Sequence, residues 1–258
     1  MPPPVVLVPA MTDSPEKPAR KPRKTATKEA PAPVARPLSR RILRWAGRIA
    51  AGVAGLYLLL ILLFSFLPPP INVYQLGESF RLGGIEKDWV PMEEIAPVMA
   101  RAAVAAEDAN YCLHWGFDMA AIREAVAEGS NRGASTISQQ TVKNVFLWHG
   151  RSWARKAAEA ALTPVVETLW SKRRILEVYL NVAEFGEGVF GVQAAAQHHF
   201  GVDARDLSPT QAARLAAVLP DPKDRSASNP SNFVRQRTRA ILSGAETIAA
   251  DGRAACFE

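Results

Sequence analysis

The 258-residue chain carries 31 Lys and Arg against 25 Asp and Glu, a formal charge of +6, with 48% hydrophobic and 22% charged residues. That balance excludes a wholly disordered chain and a multispan membrane protein, and the length predicts one main domain with attachments. The basicity is local: residues 1–48 hold 11 Lys or Arg and 3 Asp or Glu, which leaves 20 basic and 22 acidic side chains for the rest and gives no support for a nucleic-acid partner.

The first segment, residues 1–48, is rich in Pro, Ala and Lys and poor in aromatics, so it is expected to be a disordered basic tail. Residues 49–67, "IAAGVAGLYLLLILLFSFL", run 19 residues without a charge. At about 1.5 Å rise per residue that is roughly the thickness of a bilayer's hydrocarbon core, so a single-pass transmembrane anchor is predicted. Pro68-Pro69-Pro70 ends it. The basic residues precede the span, which puts the N-terminus in the cytoplasm and residues 68–258 across a bacterial inner membrane, in the periplasm. A cleaved signal peptide fits less well, because the apolar run and the region before it are both too long.

Residues 71–90 are read as a short, extended segment. Its apolar residues, with Met92, are equally consistent with dipping into lipid headgroups and with packing on the domain. From Met92 onward helical patterning dominates, with little sign of strands. Asp118 caps "MAAIREAVAE", which stops at Gly129. A helix starts near Ser135 in "GASTISQQTVKNVFLW", and a longer one runs from Ser152 to Trp170 with Pro164 marking a kink. "RRILEVYLN" is another, and Ser208-Pro209-Thr210-Gln211 opens a last clear one with a capping box. Cys112 and Cys256 lie in the oxidising compartment under this topology, and their pairing is left open. Neither has metal-ligand spacing, nor does His198-His199 have an acidic or thiol companion nearby.

Two stretches concentrate chemistry. "AAVAAEDANYCLHWGFD" ends an apolar helix in Glu107-Asp108 and then sets Tyr111, His114 and Trp115 close behind. In residues 135–144, Ser135, Gln139 and Lys143 form one helical stripe and Thr136, Gln140 and Asn144 the next. Hydroxyls and amides with a single lysine suit oriented hydrogen bonding to a sugar or phosphate better than a solvated face does. Arg151, Arg155, Lys156 and Glu159 follow, with Arg155 and Glu159 spaced to pair. Alone this is a surface ion pair worth little; beside Lys143 it makes a site for a dense anion such as pyrophosphate.

These motifs resemble those of the peptidoglycan glycosyltransferases (family 51), the module shared with class A penicillin-binding proteins. "EDANYCLHWG" is similar to their E-D-x-x-F-x-x-H-x-G. "GASTISQQTVKN" is similar to G-x-S-T-I-x-Q-Q-L-x-K-N, "RKAAE" to R-K-x-x-E, and "RRILEVYLN" to I-L-E-x-Y-L-N. Four collinear matches over about residues 72–245 are specific. The resemblance implies a mainly α, lysozyme-like glycosyltransferase domain behind one N-terminal transmembrane helix, polymerising lipid II into β-1,4 glycan strands. It implies Glu107 as general base and Glu159 as the second important carboxylate. It places Ser135, Thr136, Gln139, Gln140, Lys143, Asn144 and Arg151 around the lipid-linked phosphates, supported by Arg155, Lys156 and Asn181. Asp108, His114 and Gly116 are expected to support the loop, and Tyr111 and Trp115 to pack the cleft wall. Tyr111 and Thr141 depart from the family's Phe and Leu.

Implied partners are lipid II, the nascent lipid-linked strand, the inner membrane and other cell-wall synthesis or division proteins. No organic cofactor is expected, and no protein metal site, since there is no Asp-x-Asp signature; a divalent ion, magnesium or manganese, would ride on the pyrophosphate. Ser14-Pro-Glu-Lys17 fits a transpeptidase Ser-x-x-Lys only by chance, and no Lys-Thr-Gly follows, so a monofunctional form is expected. The rivals are a membrane-anchored lysozyme-like hydrolase, which has no need for the cation cluster, and a non-catalytic cell-wall scaffold.

Overall fold

The computed structural model describes Met1, Pro4 and residues 38–129, 133–150 and 152–258. Two compact units partition the chain, Met1–Arg48 and Ile49–Glu258. Most of the basic tail, and with it the expectation of disorder there, lies outside the described residues.

Helix α1 (Leu38–Phe64) contains Arg41–Phe64, the one stretch among the described residues long and apolar enough to cross a membrane. Leu56, Leu59 and Leu63 stay exposed on it, whereas Ile61 is fully buried. Trp170 Nε1 donates to Ile61 O at 2.7 Å and Tyr57 Oη to Phe146 O at 3.2 Å. The last turns of α1 from Tyr57 on therefore pack on the domain.

Residues 73–82 are not extended; they form helix α2 (Val73–Leu82), opened by an Asn72–Gln75 capping box. The pattern misleads because the helix is turned inside out: Gln75 and Glu78 are buried, while Val73, Leu76 and Phe80 face outward. Of the neighbouring apolar residues, Ile71 is exposed and Met92 belongs to the core.

The core is built from two helix groups. Helix α3 (Pro97–Glu107) packs on α9 (Pro209–Val218) and on α10 (Asn232–Ala250). Ala102 and Ala103 of α3 and Ala212, Ala213 and Ala216 of α9 are buried, and such small side chains let helices approach closely. Helix α5 (Ile137–Phe146) packs on α6 (Trp153–Leu169) and on α7 (Lys172–Val182). Pro164 lies inside α6 without ending it. Helices α4 (Met119–Ala127), capped by Asp118 at Ala120 N and Ala121 N, and α8 (Val192–Phe200) complete the set, and the Ser208–Gln211 box opens α9 as its sequence indicates.

A small sheet that the sequence did not announce joins β1 (Glu86–Lys87), β2 (Glu184–Gly186) and β3 (Val189–Phe190) in the order β1-β3-β2. Strand β1 runs parallel to β3 and β2 antiparallel, with a register shift between Glu184 and Gly186. Strands of two or three residues are too short to show a period-2 pattern.

Candidate active site

Glu107 is the last residue of α3, with Asp108 as the C-cap. Gln140 Nε2 donates to its carboxylate at 3.0 Å, and Arg237 from α10 stands 3.8 Å away. Burial raises the pKa of Glu107, opposed by the Gln140 hydrogen bond and by the charges of Arg237 and Lys143, with Asp108 adding to the rise. The carboxylate lines a cleft of about 510 Å³ whose wall includes Asp118, Ser135, Thr136, Gln140 and Arg237.

Asp108 fixes the turn behind it. Its Oδ2 accepts from Ile137 N, at the start of α5, at 3.0 Å, and its Oδ1 pairs with His114 Nε2 at 2.8 Å. A buried carboxylate at a helix N-terminus meets backbone N–H groups that lack intrahelical partners. Gly116 then turns at φ +83°, where an added Cβ would stand 2.7 Å from Thr163 Cγ2. Its carbonyl accepts from Thr136 Oγ1 at 2.7 Å. The expected loop supports Asp108, His114 and Gly116 thus join the end of α3 to the start of α5 and to α6.

The aromatics part company. Tyr111 is fully buried and donates to Lys172 O at 2.8 Å, whereas Trp115 is exposed, and neither is among the described residues that line the cleft. Tyr111 is core because its ring lies against Phe257 and beneath the Lys172 ammonium.

Helix α5 starts within a residue or two of Ser135, with Thr136 as N-cap. That places Gln139 at the third helical position, where its side chain closes a capping box on Thr136 N and is buried. The stripes that sequence alone assigns to ligand are therefore divided. Gln139 goes to the helix start, while Gln140, Lys143 and Asn144 line a second, polar cavity of about 200 Å³ with Tyr74 and His149. Asn181 lies apart from both cavities: it is fully buried, bonded to both Val90 backbone groups and to Glu177 O, and holds α7 to the segment after β1. Its expected place near the phosphates gives way to this backbone clamp.

Lys143 is half-buried, its ammonium without a hydrogen-bond or ion-pair partner among the described residues, and burial lowers its pKa, as do Arg155 and Lys156, against Glu159 and Glu107. His149, stacked 3.8 Å from the Tyr74 ring, is pushed down to about 4 by burial and by the charges of Lys143 and Arg155. Glu159 is 2% exposed and held by Arg155 at 2.7 Å and by Lys156, whose Nζ also reaches Ser135 Oγ at 3.3 Å. Locked in two ion pairs, Glu159 orders cations rather than offering a free acid. Arg151 lies outside the described residues.

Sequence reasoning missed Arg237, Tyr74 and His149. Arg237 had a legible signal: with Val234 and Ile241 it falls at i, i+3 and i+7 on the buried face of α10, unlike the exposed Arg235 and Arg239.

Residues 76–246, holding every one of these motifs, match the family model for transglycosylases. The chain belongs to the transglycosylase family. It is 59% identical over 239 residues to a biosynthetic peptidoglycan transglycosylase of Jannaschia sp. (strain CCS1), covering 93% of this chain and 98% of the relative. A protein of the same description from Cronobacter sakazakii (strain ATCC BAA-894) is 50% identical over 223 residues, 82% and 92% of the two chains. One from Yersinia pestis (strain Pestoides F) is 49% identical over 211 residues, 77% and 87%. This transglycosylase is accordingly a glycosyltransferase with a mainly α, lysozyme-like domain behind one candidate membrane helix.

Proposed function

We propose that the chain polymerises lipid II into β-1,4 peptidoglycan strands at the outer face of a bacterial inner membrane, releasing undecaprenyl pyrophosphate. The observation that carries this is the placement of Glu107 and Lys143 on either side of Gln140, each lining its own cavity. The acceptor sugar's 4-hydroxyl must lose a proton as it attacks the donor's anomeric carbon, and Glu107 is the carboxylate available to take it. Attack from the face opposite the leaving group inverts α to β without a covalent enzyme intermediate. The pyrophosphate departs with growing negative charge, and Lys143, whose ammonium has no ion-pair partner among the described residues, supplies a cation for it in advance. Arg155 and Lys156, ordered by Glu159, add to that field, and Ser135, Thr136, Gln140 and Asn144 provide hydrogen-bonding groups around it.

No three His, Cys, Asp or Glu side chains gather to hold a metal among the described residues. A magnesium or manganese ion, where one accompanies the pyrophosphate, would be carried by the phosphates. The names of the relatives support peptidoglycan as the product. The candidate span and the basic residues before it support a single-pass anchor with a cytoplasmic N-terminus and a periplasmic catalytic domain. The exposed Ile71, Val73 and Phe80 favour seating at the membrane surface, where lipid II and other cell-wall proteins are met.

A glycan hydrolase acts on its polymer with a pair of carboxyl groups and has no use for the Lys143, Arg155 and Lys156 cations, which favour the synthase reading. The test is polymerisation of labelled lipid II by full-length protein in detergent, with Glu107→Gln alongside. The expected result is lysozyme-digestible polymer from wild type and at least about a hundredfold less from the variant, the lower end of the usual contribution of about 10²–10⁴ from general base catalysis. Trimming of purified peptidoglycan without polymer would make the protein a hydrolase.

A further inference from the structure

Glu107 ends its helix, so its aim depends on where the chain goes next. The loop after it is held from outside by the C-terminal residues. Cys112, between Glu107 and His114 in sequence, is joined to Cys256 across 144 residues. Arg253 Nη1 donates to Ala109 O at 3.0 Å and is itself oriented by Asp251 at 2.8 Å. Phe257 is fully buried with its ring 6.2 Å from that of Tyr111. The clasp is pinned in turn: Arg173 Nη1 donates to Phe257 O at 2.9 Å, and Glu258 pairs with Arg101 of α3. Where α10 passes the same place, Arg237 Nη2 donates to Ala106 O at 3.2 Å, taking up a last-turn carbonyl of α3.

We propose that residues 251–258, locked by the Cys112–Cys256 bond, are a positioning element for Glu107, and that turnover depends on this bond being formed. The inference rests on the reading of Glu107 as the base. Cys112 and Cys256 touch no reacting atom; they act through the loop. With the bond in place, Ala109 and Tyr111 are fixed from below. Asp108 is then held where it meets both Ile137 N and His114, and Glu107 where it meets Gln140. Without it, the loop keeps its sequence-local turns but loses its outer support. The groups facing Glu107 are Gln140, Lys143, Arg237 and Asp108, and a change in their distances shows in the protonation of the base.

The experiment compares full-length wild type, Cys112→Ala/Cys256→Ala, Arg253→Ala and Glu107→Gln in detergent with labelled lipid II. Polymerisation is followed from pH 5 to 9 and thermal melts are recorded. The expected result is about a tenfold loss of kcat in the double alanine variant, KM within twofold, a displaced acid limb and a melt that stays cooperative. Arg253→Ala, which keeps the disulfide, should lose about threefold in kcat and guards against a double variant that fails to fold. A lower melting temperature with kcat and acid limb unchanged would make the bond a stabilising staple and overturn the proposal. So would an unchanged kcat in Arg253→Ala where the double variant is unfolded. Wild-type polymer with an active Glu107→Gln would instead remove the base reading, and the proposal with it.

Discussion

Glu107 and Lys143 are displaced toward neutrality from opposite sides, the carboxylate upward and the ammonium downward, each chiefly by burial. A base must be ionised and an anion-binding lysine protonated, so activity rises with pH through the Glu107 value and falls through the Lys143 value. The window between them is narrower than for the same groups in water, and kcat/KM of the free enzyme reports both limbs. Gln140 lowers the Glu107 value through its hydrogen bond, so Gln140→Leu should move the acid limb to higher pH. Lys143→Arg should carry the alkaline limb out of the accessible range, because a guanidinium keeps its charge above about pH 12. A pH profile of kcat/KM for the two variants checks both signs. An acid limb that shifts downward in Gln140→Leu would mean that another group titrates there.

At the scale of elements, the cleft depends on the junction of α3, α5 and α6 more than on any one helix. Gly116 is its tightest point. An alanine there meets both a left-handed φ of +83° and Thr163 Cγ2 at 2.7 Å. The Gly116→Ala variant should lose about 1–3 kcal/mol, and with it the Thr136 bond that sets the start of α5. At about 2–4 °C per kcal/mol for a chain of this size, a thermal melt several degrees lower is expected, with polymerisation reduced as well. An unchanged melt would show that the loop can move away from α6 freely. The sequence disclosed this junction unevenly. Caps made by Asp118 and Ser208 were readable because their hydrogen bonds are local. The start of α5 was legible to within a residue: Thr136 and Gln139 have the spacing of a capping box, which Ser135 lacks, and Thr136 Oγ1 also donates to Gly116 O, twenty residues back. Gln139 and Asn181 read as ligand groups because a buried amide spent on backbone and one offered to a sugar are the same letter. Arg237 reaches Glu107 across 130 residues of sequence; its place on the buried face of α10 was legible but its partner was not, and the inverted polarity of α2 hid that helix.

Across the whole 49–258 unit, the apolar helix and the cleft are mechanically joined. Arg174 at the start of α7 donates to Phe64 O at 3.0 Å and to Leu67 O at 2.6 Å, capping the free carbonyls where α1 ends. The Trp170 indole takes Ile61 O at 2.7 Å in a buried setting. From that same wall, α5 carries Gln140 and Lys143 into the two cavities. On the proposed reading, lipid II keeps its polyprenyl tail in the bilayer while its sugars reach Glu107. The coupling between helix and wall then fixes the height at which the cleft meets its substrate. Trp170→Phe keeps an aromatic ring but removes the indole donor, leaving Ile61 O with only its bond from Ser65 N at 3.1 Å. The cost is about 0.5–1.5 kcal/mol, the net worth of one hydrogen bond. Polymerisation in lipid II-bearing liposomes should fall several-fold for Trp170→Phe combined with Arg174→Ala. The same variant in detergent, where the micelle adapts to the protein, should keep most of its rate. An equal loss in both media would place the damage in the cleft itself, and equal retention would mean that the height is set elsewhere, with the outward-facing Val73 and Phe80 of α2 the next residues to change.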